Sequence, residues 1–191
     1  MSQPAVIRIV GIGGALRDGS TSDAVLQWTL DTLRTRGVEA TLFAGRDLDF
    51  PPYDPGGTGT ADPRLPGFLE AVRACDGLVI SSPVYHGGPS GLIKNAIDHL
   101  QPLMTDSRPY LSGRPVLCMA AGGGLQGAVN TLASLQGVVH ALRGWPTPMQ
   151  VPVNSSTKPF DEQRRCTDPK LEKMLNAAVE DLLSFITAFK G

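Results

Sequence analysis

Gly77-Leu78-Val79-Ile80-Ser81-Ser82-Pro83-Val84-Tyr85-His86-Gly87-Gly88-Pro89-Ser90-Gly91-Leu92-Ile93-Lys94-Asn95-Ala96-Ile97-Asp98 is the stretch that decides how this chain folds. Its first four residues are an apolar run of the kind buried on both faces of a parallel sheet. The run breaks into a loop of prolines and glycines that carries two ring side chains, Tyr85 and His86. From Gly91 the period turns helical, with Leu92, Ile93, Ala96, Ile97 and Leu100 on one stripe. Prolines hold such a loop rigid, and glycines let its backbone come close to a ligand. A strand, a stiff aromatic loop and a helix, in that order, suit a flat ring held at the end of a parallel strand.

Outward from this stretch, strands and helices alternate. Ala5–Ile12 reads as a first strand, Ser20–Arg36 as a helix stopped by Gly37, and Val38–Phe43 as a second strand. Gly45–Pro66, crowded with Pro, Gly and Asp, reads as a loop that adds nothing to the core. Pro66–Cys75 is a short helix, and Arg114–Ala120 and Gly127–Leu142 are a fourth strand and a long helix. Trp145–Val153 makes a poor fifth strand, because Pro146, Pro148 and Pro152 interrupt it, and it belongs at a sheet edge. Thr167–Phe189 closes the chain as an amphipathic helix, with Leu171, Met174, Leu175, Leu182, Leu183 and Ile186 inward. This alternation predicts an α/β fold with a doubly wound parallel sheet, and residues 1–191 are expected to form one domain.

Composition narrows the function classes. Of the 191 residues, 41% are apolar and 18% charged, an ordinary globular balance. The formal net charge of −1 offers no basic face for nucleic acid or anionic lipid. No apolar run approaches the ~18 residues of a membrane span, and Met1–Pro4 has no leader character. Cys75, Cys118 and Cys166 are odd in number, far apart and without metal-ligand spacing. A cytoplasmic protein without metal, nucleic-acid or membrane partners is expected.

The first strand runs into Gly11-Ile12-Gly13-Gly14-Ala15-Leu16-Arg17-Asp18-Gly19-Ser20-Thr21-Ser22 and then a helix. Free amides at the helix start, the helix dipole and three consecutive hydroxyls outline an anion site. Two common phosphate motifs fail here. The dinucleotide fingerprint needs glycine where Leu16 stands, and the P-loop needs lysine where Ser20 stands. One arginine among hydroxyls suits a terminal phosphate monoester. Ser20 as a plain N-cap beside a tight glycine turn accounts for the same residues equally well.

Taken together, the two loops resemble those of the NAD(P)H-dependent FMN reductase family of flavodoxin-like proteins. Gly14 to Ser22 follows that family's first-loop pattern through Arg17, Ser20 and Ser22. Pro83, Tyr85, Gly91, Lys94, Asn95, Ala96, Ile97 and Asp98 follow the second, more specific one. Ala121-Gly122-Gly123-Gly124-Leu125-Gln126-Gly127 falls where such proteins carry a glycine-rich third loop. The resemblance implies a flavodoxin-like five-stranded parallel sheet, strand order 2-1-3-4-5, with helices on both faces. It also implies FMN as cofactor and NADPH or NADH as hydride donor, in a ping-pong transfer to a second small-molecule acceptor such as free flavin, a quinone or an azo compound. By the same resemblance Arg17, Ser20, Ser22 and the backbone of Leu16 would hold the FMN phosphate. Pro83, Val84, Tyr85 and His86 would line the isoalloxazine, and Gly122, Gly123 and Gly124 would approach its pyrimidine edge. The flavin would carry the chemistry with no catalytic side chain, in a homodimer or homotetramer.

Three residues depart from the pattern. Ala15 removes one hydroxyl donor, and Val84 and His86 stand where polar residues are frequent. Those two open an alternative, the FMN-dependent dehydrogenation of a small cyclic metabolite with oxygen as acceptor. A non-catalytic flavodoxin-type electron carrier ranks below both, because no acidic docking face is evident. Lys94 and Asp98 are expected to form a local ion pair, and His99 and His140 to be packing or surface residues. Gly45–Pro66 and Pro146–Pro159 are expected to border the substrate entrance.

Overall fold

The computed structural model describes residues 6–57 and 62–190. Strands β1 (Arg8–Gly13), β2 (Glu39–Ala44), β3 (Gly77–Tyr85) and β5 (Pro115–Gly122) form a parallel sheet. Two short segments, β6 (Trp145–Pro146) and β7 (Val151–Asn154), both pair in parallel with β5, so together they are one interrupted edge strand. The order β2-β1-β3-β5-β6 is the expected 2-1-3-4-5 arrangement, with the interruption where the prolines lie. A two-residue strand β4 (Gly88–Pro89) folds back on the end of β3 as a hairpin. The expected strand start at Ala5 lies outside the described residues.

Alternate residues of the central strands feed two cores. On one face Val10, Ile12, Leu78, Ile80, Val116 and Cys118 pack under helices α2 (Leu65–Ala74), α3 (Gly91–Asp98) and α4 (Leu125–Ala141). On the other, Ile9, Val79, Leu117, Met119, Val151 and Val153 pack under α1 (Thr21–Thr35) and α5 (Pro169–Lys190). The inward stripe of α5 agrees with its sequence pattern: Leu171, Leu175, Leu182 and Ile186 are buried, and Met174 and Leu183 pack at the margin.

One expectation is corrected. The segment after β2 contributes to the core: a 3-10 turn (Gly45–Leu48) sets Leu48 fully inside, and Phe50 follows it. Phe50 meets Phe68 and His99 at ring distances of 5.6 and 5.4 Å. Asn95 holds this segment through its backbone, accepting from Tyr53 N (2.8 Å) and donating to the Phe50 and Pro51 carbonyls (both 3.1 Å). His99 Nε2 also lies 2.9 Å from the Pro51 carbonyl, which makes it a packing residue, as expected. Isolated apolar residues between prolines carry no period, so their burial is invisible to a pattern search. Residues 58–61 of the same loop lie outside the described residues.

The amino end of the sheet is closed by a buried arginine. Arg114 is 1% exposed and donates to the carbonyls of Arg73 (2.6 Å), Tyr110 (2.8 Å) and Cys75 (3.2 Å). Arg73 and Cys75 stand at the carboxyl end of α2, whose carbonyls lack intrahelical partners. Desolvation pulls the Arg114 guanidinium below its usual range. Arg108 reinforces the closure, donating to the Ser112, Gly113 and Cys75 carbonyls.

Candidate active site

At the opposite end, the carboxyl ends of β1, β3 and β5 converge. The chain leaves β1 at Gly13, and Gly14 N donates to the Ser81 carbonyl on β3 (3.0 Å). It then enters α1 through Ser20, an N-cap in extended conformation whose Oγ accepts from Asp23 N (3.1 Å). Ser20 Oγ also lies 3.1 Å from Ser22 Oγ. Ser81 Oγ donates to the Ser22 carbonyl (2.8 Å), so β3 ties down the first turn of the helix. Arg17 is exposed on the loop, and among the described residues no carboxylate lies within ion-pair distance of it. Half-buried Asp23 is less suited to an anion: desolvation raises its pKa, and its buried Oδ1 has no hydrogen-bond partner.

β3 supplies the second wall. Ser82 Oγ donates to the Pro83 carbonyl (2.7 Å) and accepts from Ser90 N (3.0 Å), and Ser90 Oγ in turn caps α3 at Ile93 N. This chain of bonds sets the hairpin over the strand end. Its two-residue turn has φ of 51° at His86 and 80° at Gly87, the paired left-handed geometry of a type I′ turn. Val84 packs inward, with Cγ2 2.8 Å from where a Cβ on Gly122 would sit and Cγ1 3.0 Å from one on Gly127. Tyr85 stays 54% exposed, presenting its ring to the opening.

β5 ends at Gly122, and Gly123 leads to Gly124, the side-chain-free N-cap of α4. Ser156 Oγ donates to the Gly123 carbonyl (2.9 Å), and Asn154 Oδ1 accepts from Ser156 N (3.0 Å). The turn after β7 therefore braces this third loop.

The three loops enclose a cleft of about 300 Å³. Of the residues expected in a site, it brings together Arg17, Ser20 and Ser22 at one end, and Pro83, Val84, Tyr85, Gly122 and Gly123 at the other. Leu16, His86 and Gly124 do not line it. Leu16 is 59% exposed on the loop, His86 is exposed at the hairpin tip, and Gly124 has already turned into α4. Thr21, one of the three first-loop hydroxyls, lines the cleft too, as does Ser155, which sequence reasoning had not singled out within Pro146–Pro159. The signal for Ser155 was a run of hydroxyls directly after the fifth strand, at the carboxyl edge where α/β ligands bind.

The arrangement can hold an elongated molecule with an anion at Arg17 and a flat group against Tyr85 and the Gly122 backbone. It holds no activated thiol: burial pushes Cys75 up to about 11 and Cys118 up to about 12. Lys94 pairs with Asp98 at 2.7 Å, and His140 is exposed on α4, as expected for residues outside the site.

Comparison with known proteins agrees with this geometry. A NAD(P)H-dependent FMN reductase of Pseudomonas aeruginosa is 27% identical over 186 residues, covering 97% of this chain and 98% of that protein. An FMN-dependent NADPH-azoreductase of Staphylococcus aureus is 26% identical over 184 residues, covering 93% and 94%. The solved structure of FerB, a flavoenzyme NAD(P)H:(acceptor) oxidoreductase from Paracoccus denitrificans, superposes with a TM-score of 0.80 at 19% identity over 96% of this chain and 99% of that one. Residues 7–158 match the model of the NADPH-dependent FMN reductases, all three loops included, and the chain belongs to that family.

Proposed function

We propose that the cleft holds FMN, phosphate at Arg17 and Ser20, ring between Tyr85 and the Gly122–Gly123 backbone. The protein uses it to oxidise NADPH or NADH and to reduce a second small-molecule acceptor. The observation that carries this reading is one cleft with a helix N-terminus and an arginine that no carboxylate approaches among the described residues at one end, and an aromatic hairpin at the other. The donor set fits: Ser20 Oγ receives the Asp23 amide, and of the two protons on the paired Ser20 and Ser22 hydroxyls one bridges them and the other is left to donate to a phosphate oxygen. Bound FMN supplies a two-electron redox centre, and the protein supplies binding and orientation.

Tyr85, half exposed on a rigid hairpin, offers a ring face without having to reorganise. Pro83 and Val84 exclude water along β3, and Gly122 and Gly123 let the backbone come close. The acceptors best suited to an open, half-apolar cleft are flat conjugated molecules: azo compounds, quinones or free flavin. Exposed Tyr85 and, at the start of α4, Leu125 and Val129 support a homo-oligomer that covers the opening. Three free cysteines support a reducing, cytoplasmic setting, and no helix of the described residues is long and apolar enough to cross a membrane. The oxygen-using dehydrogenase alternative loses one of its supports, since His86 does not line the cleft.

An anaerobic titration of the FMN-loaded protein with NADPH and then NADH tests the reading. Rapid bleaching of the flavin absorbance is the expected result. A flavin that binds but stays oxidised with both donors overturns it.

A further inference from the structure

A second cleft, about 550 Å³, opens directly from the anion end of the first and shares Arg17, Thr21 and Ser155 with it. Its far wall is a hairpin from Pro159 to Thr167, closed by Thr167 N to the Pro159 carbonyl (2.9 Å), Asp161 N to the Arg165 carbonyl (3.1 Å) and a Phe160–Cys166 bridge. We infer that this cleft takes the adenosine-phosphate half of FAD, so that the protein accepts FAD as well as FMN. The inference rests on the flavin reading above and extends it beyond the phosphate.

Position carries the argument. FMN ends at its phosphate, and a phosphate at Arg17 has the second cleft behind it. FAD continues from that same phosphate through a second one to adenosine. A pyridine nucleotide, by contrast, must reach the ring, at the opposite end beside Tyr85. The cleft's chemistry matches the extension. Lys158 and Arg164 line it, and neither has a carboxylate within ion-pair distance among the described residues. Both sit at left-handed φ, 49° and 61°, Lys158 in the turn closed on the Ser155 carbonyl before the hairpin and Arg164 in the hairpin's own turn, closed on the Asp161 carbonyl. Pro159 and half-buried Phe160 give an apolar wall for a base. Two carboxylates also line the cleft. Asp161 is engaged by Arg165 Nε and by the Gln163 and Arg165 amides, which leaves Glu162 as the acidic group not so engaged.

Calorimetric titration of the flavin-depleted full chain with FMN and with FAD tests this, using Lys158→Asn and Arg164→Asn, since asparagine tolerates left-handed φ. FAD is expected to bind at least as tightly as FMN. Each variant should weaken FAD about tenfold, the loss of one charge-assisted contact, while leaving FMN unchanged. Equal FAD affinity in wild type and both variants overturns the inference. So does binding of 2′,5′-ADP to the FMN-loaded protein that both variants abolish while FAD is unaffected, which would give the cleft to the pyridine nucleotide. Failure of FMN itself to bind would strike the underlying reading instead, and the two failures are therefore separable.

Discussion

Val84 fills the space that a side chain on Gly122 would need. Its Cγ2 and Cβ lie 2.8 and 2.9 Å from the ideal Cβ position of that glycine, where real Cβ contacts essentially do not occur. Both residues line the cleft, so the small residue on β5 and the branched one on β3 set the ring end as a pair. Gly122→Ala should destabilise the protein by about 1–3 kcal/mol and weaken flavin binding, as overpacking displaces Val84. Adding Val84→Ala should recover much of the stability. Denaturant unfolding of the single and double variants checks this; independent, additive losses would show that the two sites do not touch.

The anion end separates two jobs of Ser20. Ser20→Ala should lose both, costing about 1 kcal/mol of stability as the N-cap disappears and weakening FMN. Ser20→Asp keeps a good cap but places a carboxylate where the phosphate belongs, so stability should hold while FMN affinity collapses. Arg17→Ala should weaken FMN by about 1.5–3 kcal/mol with no stability change. FMN binding to Ser20→Asp at wild-type strength would remove Ser20 from the site.

Asp23 gives a pH signature with a definite sign. Its pKa is raised in the folded state, chiefly by desolvation, so the folded protein holds the proton longer than the unfolded chain. Stability contributed by that proton is present below the unfolded value and lost as pH rises through the folded one. Asp23→Asn should therefore be more stable than wild type at neutral pH, with the gap closing below about pH 4. It should also bind FMN more tightly, because a negative charge beside the phosphate is removed. Thermal unfolding across pH would refute this if the variant were less stable at pH 7.

Arg114→Leu should cost about 1–3 kcal/mol, since it leaves the part-buried Arg73 and Tyr110 carbonyls without their donor. The Cys75 carbonyl keeps Arg108. Because Arg114 lies at the end of the sheet away from the cleft, FMN affinity of the folded variant should match wild type. A large loss of affinity without a loss of stability would contradict this division between the two ends.

What the sequence makes legible follows from what has a period or a motif. The strands, the helices and the split at Trp145–Val153 could all be read, because burial on alternate or helical positions leaves a pattern. Arg17, Ser20 and Tyr85 could be read because their loops carry a recognisable order of glycines, prolines and hydroxyls. Leu48 and Phe50 could not, since their burial depends on Asn95 and His99 reaching across from α3. Ser155 was hidden for the same reason: it joins the cleft only through the register of β7 on β5. His86 sits exposed at the tip of the 86–87 turn, and its place in the motif does not by itself say which way a side chain at that tip faces.

The interrupted edge strand has a consequence for how copies of the chain can meet. Trp145 N and Thr147 N both turn inward to β5, bonding the Arg114 and Val116 carbonyls, so position 146 between them faces outward. Pro146 stands there and offers no N–H, and Pro152 interrupts the donor row again in β7. A neighbouring strand approaching this margin finds acceptors without matching donors, and the sheet is not continued across it. Growth into fibrils along this border is thereby disfavoured, and copies that meet on this side must join through helical and loop surfaces, the same surfaces that frame the cleft.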